Sequence, residues 1–149
     1  MRNDKYKVAI SGAITIFEFV SQGPKGQIKK RVQYQATKQK NLFNLAFGDI
    51  NPETNEIDDK VISNNKDSLK VLSTVAYTIY SFIEKYPEAI IYAEGSNPVR
   101  TRLYRIGISN NLEELKEKFE IFGFLENVGW CDYEKNKDYT AFFITKVEE

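Results

Sequence analysis

Apolar and polar residues alternate almost perfectly between Gln27 and Ala36. The apolar side holds Ile28, Val32, Tyr34 and Ala36, and the polar side holds Gln27, Lys29, Arg31, Gln33 and Gln35. Because successive side chains of a strand point to opposite faces, this pattern predicts a half-buried antiparallel strand. The preceding SQGPKG (residues 21–26) combines glycine and proline and predicts a hairpin turn.

The segments on either side of this hairpin also have strand composition. Residues 6–20 are rich in β-branched and aromatic residues, which predicts one strand, or two short ones with a bulge at Gly12. Residues 41–50 alternate again and predict the next strand. The polar stretch 51–65 predicts a long loop, which Ile57, Val61 and Ile62 could anchor as a short edge strand.

Helical periodicity begins after Asp67, a candidate N-cap, and ends at Pro87. The spacing predicts a long helix over about 67–86, with apolar positions at Leu69, Leu72, Ala76, Ile79, Ile83 and Tyr86. The run 89–93 predicts a short buried strand. Two further helices are expected over about 97–108 and 110–119, the second starting with a capping box of Asn110 and Glu113.

Strand-like stretches near 121–125 and 139–147, with another short strand around Trp130, end the chain. No internal repeat or interdomain linker interrupts this order. The sequence therefore predicts a single α+β domain over residues 1–149, in which an antiparallel sheet of several strands packs against one long and two shorter helices.

Composition limits the chemistry that this domain can perform. The sequence contains no histidine and one cysteine, Cys131, which excludes histidine-dependent nucleophilic machinery, an internal disulfide and a structural zinc site. The acidic stretch 49–59 lacks the residue pattern of a calcium loop, so we expect neither a metal nor a cofactor. An enzyme would have to use carboxylates, lysine, tyrosine or arginine, which makes catalysis the less favoured role.

Charge and hydropathy indicate where the protein resides. The 21 basic and 21 acidic residues balance, which argues against a generic DNA-coating protein. No apolar run approaches the roughly 20 residues of a membrane span, and the N-terminus has no apolar stretch typical of a secretory signal. We therefore expect a cytoplasmic protein without membrane contact; the oligomeric state cannot be predicted.

The segment EGSNPVRTRLYR (94–105) contains the strongest candidate site. Gly95 allows a tight bend, Ser96 and Asn97 are preferred N-caps, and Pro98 suits the first helical position. These residues predict a helix that starts near residue 97. The unpaired N–H groups and the positive dipole end of such a start favour phosphate and carboxylate ligands.

Three arginines follow this start, where helix stability alone would favour acids. Helical geometry predicts Val99, Leu103 and Ile106 on the buried face and spreads the arginines over the exposed surface, so at most two of them reach one anion. The predicted ligand-binding set is Gly95, Ser96, Arg100, Thr101, Arg102, Tyr104 and Arg105. The alternative is that the arginines pair with acids such as Glu94, Glu113 or Glu117.

The same stretch, together with the aromatic ending YTAFFITK (139–146), resembles a family of short bacterial proteins described only as a domain of unknown function. The resemblance spans nearly the whole chain. Its most specific part matches Gly95, Ser96, Arg100, Thr101, Arg102, Leu103, Tyr104 and Arg105. It implies that this stretch is a unit, and it implies no substrate.

The leading functional prediction is an anion-binding domain that contacts nucleic acid, or secondly a phosphorylated small molecule, through the arginines. A secondary basic face of Lys29 and Arg31, with Phe17 or Phe19 nearby, could follow a nucleic-acid backbone while rings stack on bases; an ordinary solvated sheet face is the alternative. Two alternative predictions are a histidine-free enzyme, either a nuclease or a transferase, and a protein-interaction module that binds a partner protein.

Overall fold

Nine strands and three helices form within the residues that the computed structural model describes, which are 3–58, 61 and 63–148. The strands are β1 (Ala9–Ser11), β2 (Ile16–Gly23), β3 (Gly26–Ala36), β4 (Leu42–Ile50), β5 (Ile57–Asp58), β6 (Ile90–Ala93), β7 (Phe119–Leu125), β8 (Gly129–Asp132) and β9 (Ala141–Lys146). The helices are α1 (Ser68–Lys85), α2 (Pro98–Asn110) and α3 (Leu112–Leu115). The predicted α+β class is confirmed.

The strands form one sheet in the order β1-β2-β3-β4-β6-β9-β7-β8, with β5 paired to β4. Neighbouring strands are antiparallel except for β4 and β6, which are parallel. A parallel pair needs a long crossover between its strands, and α1 lies within this one. The hairpin predicted at 21–26 is confirmed, because Gly23 pairs with Gly26 across it.

The hydrophobic core lies between the inner face of the sheet and the helices. Strand alternation points Phe17, Val32 and Phe47 inward in one cross-strand row, and all three are buried. Around them, α1 contributes Val75, Ile79 and Phe82, and α2 contributes Tyr104 and Ile108. Because this one face supplies the apolar burial, the other face of the sheet remains outside the helical layer.

Several local predictions are wrong in their details. Residues 6–20 form two strands, β1 and β2, which was one of the two predicted alternatives, but Gly12 lies with φ +61° in the turn that joins them rather than in a bulge. The third helix ends at Leu115 instead of 119, because Phe119 starts β7. Its N-cap is Asn111, without a side-chain bond to the helix, so the capping box at Asn110 does not form.

The loop 51–65 contains the predicted short edge strand at β5, which pairs with the end of β4. Ile62, expected to help anchor this loop, lies outside the described residues. Among the helices of the described ranges, none combines the length and hydropathy required to cross a bilayer.

Candidate functional site

The start of α2 has the predicted cap but is closed by its own chain. Asn97 is the N-cap, and its side-chain oxygen accepts a hydrogen bond from the Arg100 N–H at 3.0 Å. A Cβ at Gly95 would lie 2.3 Å from the Thr101 nitrogen, so this glycine is needed for close approach to the helix. The bend therefore packs against the first turn of α2.

The three arginines of α2 point into three different environments. Arg100 is only 5% exposed and extends into the interior. Arg105 donates to the Tyr139 carbonyl at 3.2 Å and lies 3.6 Å from an exposed Asp138 carboxylate. Arg102 is exposed and has no hydrogen-bond or ion-pair partner within the described part of the chain. The predicted pairing partners Glu94, Glu113 and Glu117 form none of these arginine contacts.

The buried face of α2 differs from the predicted one. Val99 is 56% exposed, whereas the buried positions are Arg100, Thr101, Tyr104, Gly107 and Ile108. Thr101 donates to the Asn97 carbonyl at 3.1 Å, and Ser96 is exposed before the helix. Arg100 was expected to be exposed because it is charged. That expectation rotated the predicted buried face of α2 towards Val99, which explains the error.

Arg100 fills a gap beside β4. On this side β6 pairs with residues 42–44 of β4 and β5 pairs with 49–50, so the Phe47 carbonyl between them has no strand partner. Arg100 Nη2 donates to that carbonyl, and Nη1 donates to the Val61 carbonyl at 2.8 Å. No carboxylate of the described residues lies within 4.0 Å of the guanidinium. Among the described residues, the buried charge is thus held by two carbonyl dipoles and the Phe47 ring, whose centroid lies 5.9 Å from Arg100 Cζ.

A second buried cation, Lys30, lies at the end of the inner face of the sheet. It is 6% exposed, and its Nζ lies 2.5 Å from Asp49 Oδ1 and 3.1 Å from Ser63 Oγ. Lys30 is in phase with Val32 and Tyr34 on the apolar side of β3. The alternation alone therefore placed Lys30 on the buried side of β3. Our prediction missed this because it looked for basic residues only on the polar side.

Lys30 and Arg100 line the same cavity, of about 170 Å³, between the sheet and the starts of α1 and α2. Other polar residues in its lining are Asp49, Ser63, Asn64, Asp67 and Ser68. Asp67 precedes α1, but its side chain does not cap the helix as predicted. It accepts hydrogen bonds from Tyr6 Oη at 2.6 Å and Ser21 Oγ at 2.5 Å instead.

The start of α1 borders this cavity, whose lining holds two cations, Lys30 and Arg100, and two carboxylates, Asp49 and Asp67. Its first turn has neither a side-chain cap nor an acidic residue, and Ser68 of this turn belongs to the cavity lining. Uncapped N–H groups and the positive dipole end favour an anion at this point. The cavity far exceeds the ~10–15 Å³ that one water requires and has room for a phosphate-sized group.

The secondary basic face lies on the outer side of the sheet. Arg31 pairs with Glu18 across the strands, with Nε donating to Glu18 Oε2 at 2.7 Å, while Lys29 is exposed. The suggestion that Phe17 or Phe19 could stack bases beside them is wrong. Both rings are buried on the inner face, because they alternate with Glu18 along β2.

Four other rings form the outer aromatic cluster, defined by Tyr92, Phe124, Trp130 and Phe143 on the outer face of β6–β9. Trp130 and Phe143 stack with centroids 4.2 Å apart. Phe124 lies 5.3 Å from Trp130, and Tyr92 lies 5.3 Å from Phe143. The short strand predicted around Trp130 is confirmed as β8, and it places this residue at the edge of the sheet.

Partial burial, the hydrogen bond to Glu94 and the negative charge of Glu94 together raise the pKa of Tyr92 to about 12. The folded protein therefore keeps the Tyr92 proton between pH 10 and about 12, where the unfolded chain loses it. We expect the free energy of unfolding to fall over that range, and Tyr92→Phe to make the fall shallower. Urea unfolding at a series of pH values measures both slopes; identical slopes would contradict the expectation.

The fold and the cavity together define an α+β protein with a cavity at the junction of two helix starts, lined by two buried cations and two carboxylates. The chain belongs to a family of unknown function, DUF6934, whose model matches residues 2–147. The resemblance to an uncharacterised family is thereby confirmed. Searches of curated proteins and of solved structures found no match.

Proposed function

We propose that this protein binds a small anionic group, a phosphate or a carboxylate, in the cavity lined by Arg100 and Lys30. The observation that carries the proposal is the Arg100 guanidinium, which is 5% exposed and has no carboxylate partner among the described residues. Burying a charge is costly unless a group of opposite sign accompanies it. An anion in the cavity supplies that group.

Arg100 retains donors for such a ligand. A guanidinium carries five N–H donors, and the carbonyls of Phe47 and Val61 accept from two of its nitrogens. The same two bonds fix the planar group in one orientation, so little side-chain entropy is lost when an anion binds. Arg100 therefore acts as a preorganised anchor.

The surrounding groups are consistent with this role. The two carboxylates in the lining are already engaged, Asp49 by Lys30 and Asp67 by the hydroxyls of Tyr6 and Ser21. Ser68 and the uncapped start of α1 add donors of positive potential. The start of α1 thus supplements the cations, while each of the two acids in the lining is engaged by partners of its own.

Nucleic acid, the ligand predicted from the sequence, is a second source of the same phosphate chemistry. The exposed Arg102 lies outside the cavity lining, so a strand crossing the outer surface of α2 would contact Arg102 rather than Arg100. The cavity favours a small or terminal phosphate. The two sources therefore predict different dependence on these two arginines.

The test is thermal unfolding and calorimetric titration with inorganic phosphate, acetate, a nucleoside monophosphate and a short oligonucleotide, each against chloride at matched ionic strength. A bound anion raises the melting temperature with concentration, because it binds the folded chain alone. Arg100→Met should weaken binding by about tenfold or more, since a hydrogen bond to a charged group contributes about 1.5–3 kcal/mol.

Two further variants keep this test decisive if Arg100→Met folds poorly. Ser68→Asp places a fixed carboxylate in the first turn of α1, which favours the helix but competes with the anion, so binding should be lost in a stable protein. Arg102→Met, on the exposed surface of α2, is the matched control and should bind like the wild type. Equal melting temperatures in phosphate and chloride, or loss in Arg102→Met alone, would overturn the proposal.

A further inference from the structure

The outer aromatic cluster lies on the face of the sheet opposite the cavity and exposes apolar surface to solvent. Trp130 is 43% exposed, and Val128, in the turn that leads into its strand, is 73% exposed. Tyr92, Phe124 and Phe143 are half-buried around it. Ten of the twenty aromatic rings are buried in the core, whereas these four contact one another at the surface, and such a contiguous group of partly exposed rings marks an interaction surface.

The charged residues at the outer positions of β6–β9 are all acidic. Glu120 lies on the outer side of β7, two residues before Phe122, and Asp132 lies opposite Phe122 on β8. Glu94 follows β6, where its carboxylate accepts a hydrogen bond from the Tyr92 hydroxyl. The outer positions of β6–β9, as far as the structure describes them, carry no lysine or arginine. These positions are Ile90, Tyr92, Glu120, Phe122, Phe124, Trp130, Asp132, Ala141, Phe143 and Thr145.

We propose that the outer aromatic cluster is a docking surface for an arginine-bearing segment of a partner protein. A guanidinium over the exposed Trp130 gains a cation–π interaction, and a second pairs with Asp132 or Glu120 at the rim. Apolar residues between the arginines cover Phe124 and Phe143. The negative charges around the cluster thus favour a basic partner, and the aromatic rings supply the contact area.

Two other occupants fit these charges less well. A nucleic acid would bring phosphates towards Glu94, Glu120 and Asp132, where like charges repel. A second copy of this chain, related by a two-fold axis, would set the same carboxylates against each other across the interface. A basic segment meets neither repulsion.

Trp130 makes the test direct, because it is the only tryptophan in the sequence. The probe is a synthetic peptide of alternating arginine and leucine, added to the full-length protein while Trp130 fluorescence is recorded. We expect a saturable change of intensity and wavelength. A matched peptide with citrulline in place of arginine keeps the shape without the charge and should bind at least several-fold more weakly.

Charge variants separate specific docking from general attraction. The double variant Glu120→Gln/Asp132→Asn should lower the affinity for the peptide by about threefold or more. Glu53→Gln/Glu56→Gln removes two exposed carboxylates from the loop after β4 and should leave binding unchanged. Labelled-peptide anisotropy with Trp130→Leu, which keeps an apolar side chain but removes the indole ring, should show the largest loss.

Several results would overturn the docking proposal. They are an equal response to the citrulline peptide, equal losses in the two charge variants, a Trp130 response to an oligonucleotide but not to the peptide, and dimerisation that Trp130→Leu abolishes. The cavity variants Arg100→Met and Ser68→Asp should leave peptide binding unchanged. Failure here therefore does not depend on the outcome of the anion test.

Discussion

Replacing Phe82 with alanine should lower the free energy of unfolding by about 3–5 kcal/mol. Phe82 is completely buried on the inner side of α1. Its ring stacks on Tyr34 with centroids 4.1 Å apart and planes within 6°, and Phe43 and Tyr86 each lie 5.0 Å away. Because these neighbours come from two strands and the end of the helix, no single one can move to fill the space.

Chemical denaturation of the wild type and the variant measures this loss, with the slope of the transition checked for constancy. Leu69→Ala on the same helix is the matched control. Leu69 is 56% exposed, so its truncation should change stability by less than about 0.5 kcal/mol. If the two truncations had similar effects, α1 would not pack on the sheet as described.

Gly95→Ala should destabilise the protein by about 1–3 kcal/mol or more, because overpacking forces the backbone to shift. Its new methyl group would lie 2.3 Å from the Thr101 nitrogen and 2.7 Å from the Arg100 carbonyl carbon. These are backbone atoms within a helix, so a change of rotamer cannot relieve the contact. The start of α2 must move, and Arg100 moves with it.

We therefore expect Gly95→Ala to weaken anion binding as well as stability, although Gly95 does not line the cavity. Thermal unfolding with and without phosphate measures both effects in one series. Val99→Ala is the control, since Val99 lies in the same turn and is 56% exposed. A Gly95→Ala protein as stable as the Val99→Ala protein would falsify the close approach.

Local patterns predicted most of the fold. The alternation in 27–36 and the glycines of the 21–26 turn specify a hairpin with local chemistry, and β2 and β3 have the expected form. The periodicity after Asp67 likewise predicts α1 to within about one residue at each end. The predicted cap at Asn97 formed, whereas the cap at Asp67 and the capping box at Asn110 did not. Asp67 accepts hydrogen bonds from Tyr6 and Ser21 instead, and Asn110 is the last residue of α2, so Asn111 precedes α3 in its place.

The cavity was harder to predict, because it is formed by charged residues in apolar positions. Lys30 and Arg100 occupy the buried phases of β3 and α2, where hydropathy assigns charged residues to the surface. What holds each of them is far away in the chain. Asp49 pairs with Lys30 across a hairpin, and Phe47 accepts from Arg100 through a gap between β5 and β6. No spacing rule connects those positions.

The outer aromatic cluster was hidden by the shortness of its strands. The run 89–93 is apolar except for the hydroxyl group of Tyr92, so it was interpreted as a strand buried on both faces. β6 and β8 each have four residues, too few to show an alternation. Only the pairing with β9 and β7 shows that Tyr92 and Trp130 share the outer face.

Strand β6 contributes residues to both faces of the sheet. Its four residues turn alternately inwards and outwards, Ile91 and Ala93 to the core and Tyr92 to solvent, and the bend that delivers Arg100 begins directly after them. If β6 slid by one residue against its neighbours, Tyr92 would be driven under the helices and two aliphatic side chains would be stranded in water. The same slip would draw α2 out of place. One misaligned strand of four residues would therefore disable both surfaces together, although they lie back to back.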